Sequence, residues 1–197
     1  MKDCKIAFIG GGNMARSLIG GLIADGFSAQ HLHVSDPNPS NLQSLSDSYP
    51  IQTFSDNVPA ITDCNVVILA IKPQQLQSVA KQLAPHWQSD TLLISIAAGI
   101  RLEDISRWLE QDKAAIVRAM PNTPSLVQAG ATALFANEYV NNAQHELAES
   151  VLRSVGLALW VDNETKIDAV TALSGSGPAY FFLVMEAMEN AAIELGL

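Results

Sequence analysis

Three consecutive glycines, Gly10-Gly11-Gly12, stop the short apolar run Ile6-Ala7-Phe8-Ile9, and Ala15, Leu18, Ile19, Leu22 and Ile23 then recur at helical spacing. The stretch reads as strand, tight turn, helix. Gly10 to Ala15 fits G-x-G-x-x-A in the one setting where that pattern is informative. Gly10 permits the tight turn, Gly12 lets a pyrophosphate approach the backbone, and Ala15 allows the helix to pack closely on the strand. Amides of the first helical turn have no intrahelical partner and sit at the positive end of the helix dipole, so they suit a phosphate. A glycine-rich turn without a ligand is the competing reading, and the strand-turn-helix context argues against it.

The same alternation continues down the chain. His31 to Ser35 reads as a second strand closed by Asp36-Pro37-Asn38-Pro39, Leu42 and Leu45 mark a weak helix, and Ile51 to Phe54 fits an edge strand. Val66 to Ile71 is continuously apolar and short, as in a strand buried on both faces of a parallel sheet. A helix face at Leu76, Val79, Ala80 and Leu83 follows, then a strand at Leu92 to Ala97 and a helix at Leu102, Ile105 and Leu109. Ala115 to Ala119, Ala131 to Phe135 and Leu157 to Val161 add strands, with a helix around Leu147, Val151 and Val155. About eight strands alternating with helices predict an α/β fold, a Rossmann-type, doubly wound and mostly parallel sheet.

Charge removes several function classes. Eleven Lys and Arg against twenty Asp and Glu give the 197-residue chain a formal charge of -9, which offers a nucleic acid or an acidic membrane nothing to bind. Cys4 and Cys64 are too few for a disulfide framework and have no metal-ligand neighbours, so a metal-free protein of a reducing, cytoplasmic compartment is expected. The apolar run at Ile6 to Ile9 is too short for a signal peptide, and Val66 to Ile71 is far short of the roughly 20 residues of a membrane span. His31, His33, His86 and His145 fall at strand edges or in polar connections without a paired motif, which disfavours a histidine acid.

Strand ends carry the remaining candidates. Asp36 lies 21 residues after Ala15 at the end of the second strand, where this fold places a carboxylate for the adenosine ribose hydroxyls. A solvated turn aspartate is the alternative. Ala70, Ile71, Lys72 and Pro73 end one central strand and Ala97, Ala98 and Gly99 another, so both should border the nicotinamide half of a dinucleotide. Met120-Pro121-Asn122-Thr123-Pro124 is a stiff loop with a polar tip, a suitable wall for a small substrate. Ser174, Gly175, Ser176 and Gly177 are expected to open the final helix, with Pro178 in its first turn and free hydroxyls and amides for a substrate carboxylate or simply for capping.

From Tyr180 to Leu197 the helix is apolar on most sides, with Glu186, Asn190 and Glu194 as one polar stripe. It must be covered, either by the sheet domain or within a helical second domain or dimer interface. Residues 1–170 are read as the dinucleotide-binding domain and 171–197 as the start of a helical dimerisation or substrate domain that looks cut short.

In order along the chain, Phe8-Ile-Gly-Gly-Gly-Asn-Met-Ala15, Ala70-Ile-Lys-Pro73, Ser95-Ile-Ala-Ala-Gly99, Arg118-Ala-Met-Pro-Asn-Thr-Pro124 and Leu173-Ser-Gly-Ser-Gly-Pro-Ala-Tyr180 resemble the motif series of the pyrroline-5-carboxylate reductases. The resemblance implies reduction of the cyclic imine 1-pyrroline-5-carboxylate to L-proline with NADPH or NADH, in an oligomer built on a dimer. It implies that Ile9, Gly10, Gly11, Gly12, Asn13 and Met14 hold the pyrophosphate, that Asp36 faces the ribose, and that Asn57 lies beside the adenine. It further implies that Asn122, Thr123 and Ser174 to Gly177 approach the substrate, with Glu164 a further substrate-side candidate.

Asp36 departs from the small hydroxyl or neutral residue usual there, and a carboxylate repels the 2'-phosphate of NADPH, so NADH becomes a candidate beside the family's NADPH. The family also continues into helices whose Gly-Gly-Thr segment completes the proline site. Residues 1–197 offer no convincing proton donor, and solvent or a hydroxyl from that later segment is expected to serve. Another imine or β-hydroxyacid reductase on the same fold is the runner-up, although a hydroxyacid enzyme would want a lysine well into the second domain. A non-catalytic NAD(P)-binding module is the third reading.

Overall fold

The computed structural model describes residues 4–197. Its strands and helices are β1 (Ile6–Ile9), α1 (Asn13–Ala24), β2 (Leu32–Ser35), α2 (Pro39–Ser48), β3 (Gln52–Phe54), α3 (Asn57–Ile61), β4 (Val66–Leu69), α4 (Pro73–Leu83), β5 (Leu92–Ser95) and α5 (Leu102–Trp108). There follow β6 (Ala115–Met120), β7 (Gly130–Ala136), α6 (Asn142–Arg153), β8 (Gly156–Trp160), α7 (Thr165–Val170), a π-helical turn (Thr171–Gly175) and α8 (Gly177–Glu194). All eight expected strands form, and they join in one sheet in the order β3-β2-β1-β4-β5-β6-β7-β8.

Every neighbouring pair is parallel except β6 with β7. The order reverses at β1, which pairs with β2 on one side and β4 on the other, and such a switch point opens a crevice at the carboxyl ends of the strands. Strand alternation divides the core in two. Ile6, Phe8, Val66 and Ile68 face α1, α2 and α6, whereas Ala7, Ile9, Val67 and Leu69 face α3, α4 and α5. Coverage on both faces is the reason the central strands are unbroken apolar runs.

The structure differs from expectation at three places. α3 is five residues long and contains Pro59, too short for a period to show, yet Asp56 caps it by accepting from the Val58 amide at 3.0 Å. His33 is not at an edge: it is buried on β2, inside the sheet, with Nδ1 2.9 Å from the Ala60 carbonyl. The largest difference concerns the last helix, which does not open at Ser174 to Gly177. Thr165–Glu194 is one helical stretch, and that segment is a widened turn inside it. The Ser176 amide and hydroxyl both donate to the Thr171 carbonyl, at 2.9 and 3.0 Å, so this amide is not free for a ligand. Pro178 supplies the reason: its ring has no N–H and collides with the carbonyl four residues back, and a π-turn removes the collision while releasing the Ser174 carbonyl.

α8 stands clear of the sheet. Phe181 is 72% exposed and Met188 68%, with Phe182, Leu183 and Met185 similarly bare, so the sheet domain of its own chain does not cover it. The whole helical stretch Thr165–Glu194 is long and apolar enough, by length and composition alone, for a membrane span.

Cys64 behaves as a core residue. Its thiol donates to the Ala60 carbonyl at 3.3 Å, and burial pushes its pKa up from 9.0 to about 11. A raised thiol pKa means the native state holds the proton longer than the unfolded chain, so its stabilising contribution is full below pH 9.0 and is lost as the pH rises through about 11. At pH 8 Cys64 should therefore resist iodoacetamide in the native protein and react once guanidinium unfolds it, which mass spectrometry of the labelled peptide reads directly.

Candidate dinucleotide and substrate site

The glycine turn is held by backbone on both sides. Gly10 donates to the Ser35 carbonyl at 2.7 Å, and the Ala70 amide donates to the Ile9 carbonyl at 2.8 Å. Gly10 has φ +99°, and a Cβ there would lie 2.5 Å from the Ala70 carbonyl oxygen, so both conformation and space demand glycine. Gly12 differs: its backbone is extended, and a Cβ would meet nothing within 4 Å. The room beside Gly12 lies where α1 begins, and the first intrahelical bond there is from Arg16 to Gly12, which leaves the amides of Asn13, Met14 and Ala15 pointing out. Ala15 is fully buried against the sheet. An open cradle of amides with no acidic residue in the first turn fits a pyrophosphate.

From this turn a cleft of about 480 Å³ runs along the strand ends, lined by Ile9, Gly10, Gly12, Asp36, Asn57, Ala70, Ile71 and Lys72 among others. The ends of β1, β2, β3 and β4 supply most of this lining, but Pro73, Ala97, Ala98 and Gly99 are not in it; Pro73 starts α4, and Ala97 to Gly99 follow the next strand, β5. Asp36 is only 8% exposed. Its Oδ2 accepts from the Gly11 amide at 2.8 Å and from Asn41 Nδ2 at 3.0 Å, while Oδ1 accepts from the Asn38 amide at 2.7 Å. The carboxylate thus braces the glycine turn as well as facing the cleft. Asn57 accepts from the Ser35 hydroxyl at 2.7 Å and donates to Gln82 at 2.8 Å, closing the far wall.

Several lining residues escaped the sequence reading. Asn41, Ser55, Asp56, Gln75 and Gln82 all face the cleft. Ser55 and Asp56 follow β3 directly, so the strand-end rule that selected Ala70 to Pro73 would have found them; Gln75 and Gln82 sit on α4 with no sequence signal. A larger cleft of about 680 Å³ lies at the end of α1 and the start of β2, lined by Leu22, Gly26, Phe27 and His31; its glycine ends a helix rather than opening one, so no free first-turn amides face it.

The second group of candidates meets beyond β6. Asn122 accepts from the Ala131 amide at 2.9 Å and donates to the Ser174 hydroxyl at 3.2 Å and carbonyl at 3.4 Å, joining the two proposed substrate segments. Gly175 packs on Met120, whose Cε would lie 2.7 Å from a Cβ there, while Thr123 is exposed on the same loop. Glu164 is otherwise engaged: its Oε1 accepts from the Leu102 amide at 3.0 Å and from Arg118 Nη1 at 3.2 Å. Among the described residues no group of three His, Cys, Asp or Glu side chains is placed to hold a metal ion.

Comparison with known proteins now decides the family. Over all 197 residues the chain is 48% identical to the pyrroline-5-carboxylate reductase of Pseudomonas aeruginosa, covering 72% of that protein. The chain belongs to the pyrroline-5-carboxylate reductase family. It is accordingly an NAD(P)H-dependent oxidoreductase on a Rossmann-like sheet. Residues 5–99 match the family described as NADP oxidoreductase, coenzyme F420-dependent, and residues 164–197 match pyrroline-5-carboxylate reductase dimerisation. The solved reductase of Coxiella burnetii superposes with a TM-score of 0.90 at 46% identity, over 98% of this chain and 72% of that one. That of Plasmodium falciparum, with NADP bound, gives 0.88 at 29% identity over 100% and 72%.

The two glycines separate fold from binding. Gly12→Val should keep the melting temperature and lose NADH binding, whereas Gly10→Ala should destabilise the protein by roughly 1–3 kcal/mol. Thermal unfolding and a fluorescence titration with NADH, run on both variants, measure this.

Proposed function

We propose that this protein reduces 1-pyrroline-5-carboxylate to L-proline, with NADH preferred over NADPH. The cleft that begins at the glycine turn carries this reading, because the amides beside Gly12 fit a pyrophosphate and one wall is the Asp36 carboxylate, held by three donors. A nicotinamide dinucleotide bound there supplies the hydride. The chain's own contribution is position: Gly12, Asn13 and Met14 hold the phosphates, and Ala70, Ile71, Lys72, Pro73, Ala97, Ala98 and Gly99 border the reacting end. Asn122, Thr123 and the turn at Ser174, Gly175, Ser176 and Gly177 form the substrate wall. Hydride addition to C5 breaks the C=N π bond and leaves the electron pair on nitrogen, so an imine protonated from solvent is the better acceptor and alignment supplies much of the acceleration.

Cofactor choice follows from charge. Asp36 and Asp56 both line the cleft and, among the described residues, Lys72 is the one cation in its lining, so a 2'-phosphate would meet two carboxylates. A repulsion of only about 1.4 kcal/mol is a tenfold preference, and like charges near a protein surface exceed that at short range. The NADP bound to the Plasmodium falciparum relative shows that this family's fold also accepts the phosphorylated cofactor. We place residues 1–170 in the dinucleotide domain and 171–197 in a helical dimerisation domain, with the bare face of α8 covered by a second copy; the unpaired Cys4 and Cys64 suit the cytoplasm.

Following imine-dependent oxidation of both cofactors tests the reading. The expected result is turnover with a kcat/KM for NADH about tenfold above that for NADPH, and a reversal of preference in Asp36→Ser; absence of turnover with either cofactor overturns it. The double variant Phe181→Glu, Met185→Glu should convert the oligomer to monomer in size-exclusion chromatography with light scattering.

A further inference from the structure

Arg118 has the largest side chain buried in the core, at 1% exposure, and neither the cofactor cleft nor the substrate wall makes use of it. It lies on β6 between Ser95 of β5 and Phe135 of β7. Its Nη1 is 3.2 Å from Glu164 Oε1 and its Nη2 2.7 Å from Asp168 Oδ1. The two carboxylates are four residues apart, one turn of helix, so the flat guanidinium grips a single face of the helix entering the substrate turn. Glu164 Oε1 accepts a third bond, from the Leu102 amide at the start of α5.

The partners of this knot share one property. Leu102 comes three residues after Gly99, the end of the loop that borders the nicotinamide. Arg118 comes two residues before Met120, where the Asn122 loop begins. Asp168 comes three residues before Thr171, the start of the π-turn that carries Ser174. One buried cation therefore ties together the roots of the three segments that surround the reacting atoms. An apolar residue would attach α7 to the sheet at less desolvation cost, as Ile167 already does, but it would not fix the rotation of the helix.

We infer that Arg118 is a positioning residue for imine reduction: by holding Glu164 and Asp168 it sets the rotation of α7, and through it the placement of the Ser174 turn over the nicotinamide end of the cleft. It touches neither substrate nor cofactor. Rotation of α7 would draw Ser174 away from Asn122 and open the wall, while the Gly12 cradle and the Asp36 brace, which belong to β1 and β2, stay as they are.

The inference rests on the reductase reading, and steady-state kinetics on the protein with Arg118→Met, Arg118→Lys and Asp168→Asn separates the two. An inactive wild type defeats that reading; an active wild type makes the variants informative. Arg118→Met should lower kcat/KM for the imine by about 100-fold, with the imine KM rising and the NADH dissociation constant unchanged. Lysine should restore part of the loss. In hydrogen exchange the Ser176 amide, bonded to Thr171, should exchange faster in Arg118→Met, and the amides of β1 should not. Should Arg118→Met fail to fold, Asp168→Asn decides, because that carboxylate is largely exposed and its loss leaves the core intact. A rise in imine KM with unchanged NADH binding supports the inference; wild-type imine kinetics in a folded Arg118→Met or in Asp168→Asn overturns it.

Discussion

The contact between Gly10 and the end of β4 governs what the rest of the molecule can do. Two parallel strands normally keep about 4.8 Å between backbones, and chain leaving the first strand at a switch point must turn at once or run into its neighbour. Here the turn is made against the Ala70 carbonyl, with Gly10 bonded to Ser35 and Ala70 bonded to Ile9. These bonds set the angle at which α1 starts, and that angle points its free amides along the crevice. The anion cradle is thus a by-product of how β1, β2 and β4 close on each other.

Asp36 adds a second consequence of the same closure. A carboxylate at the end of β2 that receives the Gly11 amide, the Asn38 amide and Asn41 Nδ2 is a structural brace first. Its charge also faces the cleft proposed for the dinucleotide. One side chain stabilises the turn and biases the ligand, so the two effects cannot be tuned apart at this position: a neutral replacement that welcomes a 2'-phosphate also weakens the bond to Gly11.

How much of this is legible in the sequence depends on the range of the interaction. The sheet is legible because parallel strands buried on both faces are mostly apolar, so Val66 to Leu69 and Leu92 to Ile94 announce themselves locally. The cradle is legible because glycines at a strand end have few other uses. Arg118 is different: its residue type is written in the motif, but its meaning depends on Glu164 and Asp168, nearly 50 residues away and on an element too short to show a period. The π-turn failed for a related reason. Ser-Gly-Ser-Gly-Pro reads equally as a helix start or as a helix that widens to pass a proline, and only the bond from Ser176 to Thr171 tells them apart.

That turn also bears on the exposed helix after it. A helix begun afresh at Ser176 could swing about its cap, whereas a helix continuous with α7 inherits its direction from the grip of Arg118. The apolar side chains of α8 are worth on the order of 2 kcal/mol each when fully covered, so a second copy that packs on them pulls on a lever whose other end is the substrate wall. With the lever rigid, docking of the helices and placement of Ser174 become one event: whatever fixes α8 in an oligomer also fixes the turn, and the ion-pair knot at Arg118 is the joint through which that constraint reaches the sheet.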